Sequence, residues 1–114
     1  MKGPAYRLVQ KFGKTYQIRN ATGSSARESA GYTDDGTIKG VMEQRGTPTT
    51  VTDSSGQEVE ASIEIRCIID GQTIIPAGVA DTYPSVVIHP DGTEYRVMDK
   101  LPEDGGVDVL TVVR

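Results

Sequence analysis

The sequence predicts a mainly β fold, a small antiparallel β-barrel or sandwich of about six strands with one short N-terminal helix and long polar loops. Three observations lead there. Apolar residues alternate with period two in several short segments, Gly and Asp punctuate those segments, and only the N-terminal stretch carries a helical period.

Gly3 to Gly13 is the one helix expected. Pro4 suits the first helical position, Ala5, Leu8, Val9 and Phe12 recur at i, i+3, i+4 and i+7, and Gly13 supplies a C-cap. Such a short helix is unstable alone, so its apolar stripe is expected to dock on the barrel. Thr15 to Arg19 follows as a first strand with Tyr16 and Ile18 on one face. Asn20 to Gly36 lacks apolar periodicity and reads as a long exposed loop. It contains Asn20-Ala21-Thr22, a weak match to a glycosylation sequon.

Thr37 to Gln44 is a second strand, with Ile38 and Met42 inward and Gly40 marking a bulge or the close approach of another backbone. Arg45 to Glu60 is rich in Thr, Ser and Gly and reads as either a long loop or an extended hairpin tip. Ala61 to Asp70 is the strongest strand signal, with Ile63, Ile65, Cys67 and Ile69 facing the core. Gly71 to Pro84 returns the chain to a hairpin at Tyr83 to Met98. There Pro90, Asp91 and Gly92 form a three-residue loop with a bulge. A turn at Glu103 to Gly106 leads to the last strand, Val107 to Val113. The four Asp-Gly pairs, at Asp35, Asp70, Asp91 and Asp104, are each accounted for by turn chemistry.

The 114 residues form one domain, 1–114, with a small aliphatic core, since only 36% of the chain is hydrophobic and it has no Trp and one Phe. Sixteen acidic against twelve basic side chains, a net charge of -4 and no basic block argue against a dedicated nucleic-acid binder. No apolar run approaches the roughly 20 residues that cross a bilayer. The N-terminus lacks a signal peptide's apolar core, so a soluble, intracellularly made protein without a membrane partner is expected.

Catalytic chemistry finds few residues. The single Cys67 and single His89 allow a dyad by arithmetic, but both fall in strands with Cys67 facing inward, and nothing nearby in sequence orients the imidazole. Zinc lacks ligands, and Asp34-Asp35-Gly36 and Asp53-Ser54-Ser55-Gly56 lack the spacing of a calcium loop. Glu58, Glu60 and Glu64 read as solvated strand charges rather than a glycosidase pair. The expectation is no enzyme, no cofactor and no metal.

The order and spacing of several segments carry a family resemblance. They are the helix Leu8-Val9-Gln10-Lys11-Phe12-Gly13-Lys14 leading into Tyr16 to Arg19, Ile38-Lys39-Gly40-Val41-Met42 after a polar loop, and Asp91-Gly92-Thr93-Glu94-Tyr95-Arg96-Val97. Lys100-Leu101-Pro102 and a closing strand ending Val112-Val113-Arg114 complete the set. Together they resemble the small head-closure, or stopper, proteins of the neck of long-tailed viruses of bacteria and archaea, also called head-tail joining proteins. That resemblance implies a virion protein assembled in the host cytoplasm. It would form a homo-oligomeric ring of about twelve or six copies between the portal-bound adaptor protein and the tail terminator or tail tube protein.

The resemblance further implies that the ring retains packaged viral DNA without reading its sequence and opens for genome ejection. The family's plug, a long loop between the second and third strands, maps onto Gly46, Thr47, Pro48, Thr49, Thr50, Val51, Thr52, Asp53, Ser54, Ser55, Gly56, Gln57 and Glu58. The earlier loop, with Thr22, Arg27, Glu28, Tyr32, Asp34 and Asp35, would contact a neighbouring subunit. Alternatives are a tail terminator or other neck or tail ring protein, and a non-viral small-ligand binding module.

Overall fold

The computed structural model describes residues 3–21, 32–52, 56–69, 71–77, 83–103 and 105–114. Helix α1, Pro4–Phe12, precedes strands β1, Lys14–Ala21; β2, Tyr32–Thr52; β3, Glu58–Ile68; β4, Val86–Ile88; β5, Glu94–Glu103; and β6, Val107–Val113. The strands close into an antiparallel barrel in the order β1-β2-β3-β6-β5-β4. The choice between sandwich and barrel is settled by one short seam. Gln17, Ile18 and Arg19 of β1 pair with Ile88, Val87 and Val86 of β4 and so join the first strand to the fourth.

Alternation places the core as expected. Tyr16, Ile18, Ile38, Ile65, Cys67, Val87, Tyr95, Val97, Leu110 and Val112 fill the barrel, each almost fully buried. Gly40 sits on the wall where β2 meets β3, and a Cβ there would lie 2.7 Å from Ile65 Cγ2 and 3.4 Å from Cys67 Cβ. The glycine marks a close approach, here of side chains, and its pairing with Cys67 is regular. The hairpin loop also forms as expected. Gly92 has φ +92°, and its N–H donates to His89 O at 2.8 Å. The Thr93 backbone N–H donates to Asp91 Oδ1 at 2.8 Å and, with the Thr93 hydroxyl, holds that carboxyl below its ordinary value.

The loop expected over Asn20 to Gly36 is shorter than the sequence suggests. Residues 20–21 extend β1 and residues 32–36 begin β2, with Asn20 opposite Thr33 and Ala21 opposite Tyr32. Gly36 is therefore not a turn residue. Its φ of +113° falls where the register shifts, Gln17 facing Thr37 and Arg19 facing Asp34, which is a β-bulge. The polar residues of this segment are held extended by ladder bonds to β1 rather than by any apolar pattern of their own.

Beside the seam lies a buried polar cluster. Past the pair Arg19–Val86, the next residues on the two strands are Asn20 and Ser85, 5% and 0% exposed. The Ser85 hydroxyl donates to Asn20 Oδ1, and Asn20 Nδ2 donates to Asp35 Oδ2 at 2.9 Å and to Thr73 O at 3.0 Å. Ser85 Oγ also accepts from Ile75 N–H at 2.7 Å. The cluster thus ties the segment between β3 and β4 to the barrel wall. It also overturns the sequon: the Asn20 amide nitrogen is buried and bonded on both sides, leaving no access for a glycan.

Candidate functional site

The region from Gly46 to Glu58 is an extended hairpin tip. Four pairs, Thr49–Ala61, Thr50–Glu60, Val51–Val59 and Thr52–Glu58, carry β2 and β3 beyond the barrel. Asp53, Ser54 and Ser55 lie outside the described residues; Gly56, at φ +87°, and Gln57 lead back into β3. Between Gln44–Ile63 and Thr49–Ala61, β2 spends more residues than β3. Arg45 to Pro48 form this irregularity, where Pro48 lacks the N–H a ladder would use. Such a break lets the outer ribbon bend relative to the barrel.

Its two faces differ. Val51 and Val59 pack on a small cluster of Ala61, Met98 and Val113, together with Ala77, separate from the main core. The other face presents Thr50, Thr52, Glu58 and Glu60 to solvent, while Gly46, Thr47 and Pro48 are exposed at the bend. No Lys or Arg occurs between Arg45 and Arg66. A phosphate backbone alongside this ribbon would meet hydroxyls and carboxylates and gain no cation to hold it.

The second set of expected contact residues is placed differently. Thr22, Arg27 and Glu28 lie outside the described residues. Tyr32, Asp34 and Asp35 belong to β2, not to a loop, and both carboxylates are engaged within the subunit. Asp34 Oδ1 pairs with Arg19 Nε at 3.0 Å, and the same guanidinium reaches Glu94 at 3.7 Å. Asp35 accepts from Asn20 and from the Thr33 hydroxyl at 3.1 Å. Tyr32 remains 42% exposed. Tyr32 thus offers an exposed side chain, with Tyr83 and Arg96 in its electrostatic surroundings.

Cys67 and His89 sit in different surroundings. Burial, and secondarily Asp108, pushes the Cys67 thiol up to about 12, so it stays protonated inside the barrel. His89 sits at the β4–β5 turn, packs edge-on against Tyr16 with ring centroids 5.4 Å apart, and places Nδ1 3.0 Å from Asp91 Oδ1. It borders an open cleft of about 560 Å³ with Thr15, Gln17 and Asp34. Among the described residues no three His, Cys, Asp or Glu side chains are grouped to hold a metal.

The helix forms where the sequence places it, but docks with less of its apolar stripe than expected. Val9 is buried at 1% and Ala5 is half-buried, but Leu8 is 47% and Phe12 63% exposed, so half of the apolar stripe stays outside. The helix lies across the barrel end formed by Lys39, Gly40 and the β5–β6 turn. Gly3 N–H donates to Gly105 O at 3.2 Å and Lys39 Nζ to Gln10 O at 3.1 Å. A charge signal accompanies it: the first 27 residues hold six of the twelve Lys and Arg and none of the sixteen Asp and Glu. No family model matches the chain, and no curated protein or solved structure matches it.

Proposed function

We propose that this chain is a head-closure, or stopper, subunit of the neck of a long-tailed virus, assembling as a ring that joins the portal-bound adaptor to the tail and retains packaged DNA. The observation that carries the reading is the β2–β3 ribbon. It extends a rigid barrel beyond its wall, bends at an irregularity containing Gly46 and Pro48, and rests on a small apolar cluster. Its outward face is made of Thr and Glu. The resemblance in segment order supports the same assignment.

Ring geometry would bring several such ribbons together at the axis. A carboxylate- and hydroxyl-bearing constriction blocks DNA sterically without binding it, which suits a barrier that must later release the genome. Opening would exchange the contacts of Val51 and Val59 with Met98 and Val113 for solvent. That is a small apolar area, so the moving element belongs to the low-stability part of the fold.

Deleting Gly46 to Glu58 is expected to leave the barrel folded, because the pairs from Gln44–Ile63 inward are retained, and to yield particles whose heads lose DNA. Electron microscopy of those particles gives the readout. Full heads with overlong tails would assign the chain to tail termination instead, and full heads with normal tails would remove the ribbon from DNA retention.

A further inference from the structure

The molecule has two unlike ends. At one, α1 lies against the β5–β6 turn and exposes Leu8 and Phe12, flanked by exposed Arg7 and Lys11, with Lys11 Nζ 5.4 Å above the Phe12 ring. At the other end of β6, where Val113 pairs with Arg96, an open groove of about 330 Å³ runs along the root of the β2–β3 ribbon. It is lined by half-buried Ile63 and buried Val113 together with Gln44, Glu60 and Arg114. Glu58 is exposed on the same ribbon. Among the described residues, neither Glu58 nor Glu60 has an ion-pair partner.

We propose that the exposed Leu8–Phe12 face of α1 docks into this groove on a second copy of the chain, with Arg7 and Lys11 directed at the partner copy's ribbon carboxylates. Charge complementarity selects this occupant. The helix segment is free of acidic side chains and cationic, the rest of the chain is strongly acidic, and the groove places half-buried Ile63 beside Glu60, with Glu58 exposed on the same ribbon. A helix presenting Leu and Phe one turn apart on one side is a common solution for filling such a groove. The two surfaces are different and lie at opposite ends of the barrel, so the contact is heterologous and propagates head to tail, closing into a ring when the rotation per subunit allows. This rests on the ring-forming reading above and adds its interface.

Sedimentation velocity of the full chain over a dilution series tests it, using wild type, the double variant Leu8→Ser, Phe12→Ser, and the charge variants Lys11→Glu, Glu60→Lys and both together. Wild type is expected to self-associate, and the double variant to weaken association about tenfold or more while keeping its circular dichroism and melting point, since both side chains are exposed. Each single charge reversal is expected to weaken association and the combined variant to recover it. A wild-type chain that remains monomeric throughout overturns the interface, as does association that is indifferent to Leu8→Ser, Phe12→Ser. Failure of the combined charge variant to recover overturns the assigned groove. Binding of monomeric wild type to anionic vesicles or duplex DNA through Leu8 and Phe12 would assign the face to a different partner and overturn the proposal. A ring that survives the helix substitutions rejects this interface and leaves the neck assignment standing. That assignment fails only on the particle phenotype.

Discussion

Asn20→Ala is expected to destabilise the domain by about 2–4 kcal/mol, a large share of the roughly 5–15 kcal/mol that holds a domain folded. The side chain serves three partners at once. Its loss leaves the fully buried Ser85 hydroxyl without its acceptor, the Thr73 carbonyl without a donor and the Asp35 carboxylate without its amide. Alanine fills none of these roles, and water has no ready path to Ser85, which is 0% exposed. Urea denaturation supplies the measurement, with Thr33→Ala as control, because Thr33 is exposed and bonds only the outer side of the same carboxylate. Equal midpoints for the two variants would show that the cluster carries no stability.

Gly40→Ala is expected to cost about 1–3 kcal/mol through overpacking, although alanine is ordinarily the better residue in a strand. The new methyl would meet Ile65 Cγ2 at 2.7 Å, inside van der Waals contact, in a wall with Cys67 on its other side. Ile65 is 0% exposed and cannot swing into solvent. A double-mutant cycle with Ile65→Ala separates this from a backbone effect. The two substitutions are expected to couple by about 1 kcal/mol or more, since removing Ile65 Cγ2 makes room for the methyl. Strict additivity would place the cost in the backbone instead.

What could be read in the sequence was what local chemistry decides. The Pro90-Asp91-Gly92 loop and the inward alternation of β3 each depend on residues close together in the chain. The ends of β2 could not be read that way. Residues 32–36 and 49–52 have no apolar period of their own. They are extended because β1 and β3 offer them ladder partners, a tertiary effect that propensity does not contain. How far the helix buries its stripe could not be read for a related reason. Periodicity names the apolar face but not how much of it the barrel end can cover, and that end covers Val9 fully and Ala5 in part. Of the ribbon, composition showed its polarity, while its pairing and the contacts of Val51 and Val59 depend on Met98 and Val113, far along the chain.

The short seam also bears on time. Pairs such as Ile18–Val87 join residues roughly 70 positions apart, whereas the β2–β3 and β4–β5 hairpins close locally, so loop-closure entropy places the seam last in the order of assembly. On that order the Asn20–Ser85 contact, one step beyond the seam's final pair, is expected to form after the rate-limiting barrier. Its removal is expected to accelerate unfolding and leave the refolding rate nearly unchanged in stopped-flow measurements. The polar cluster therefore governs how long the closed barrel lasts more than how fast it is made.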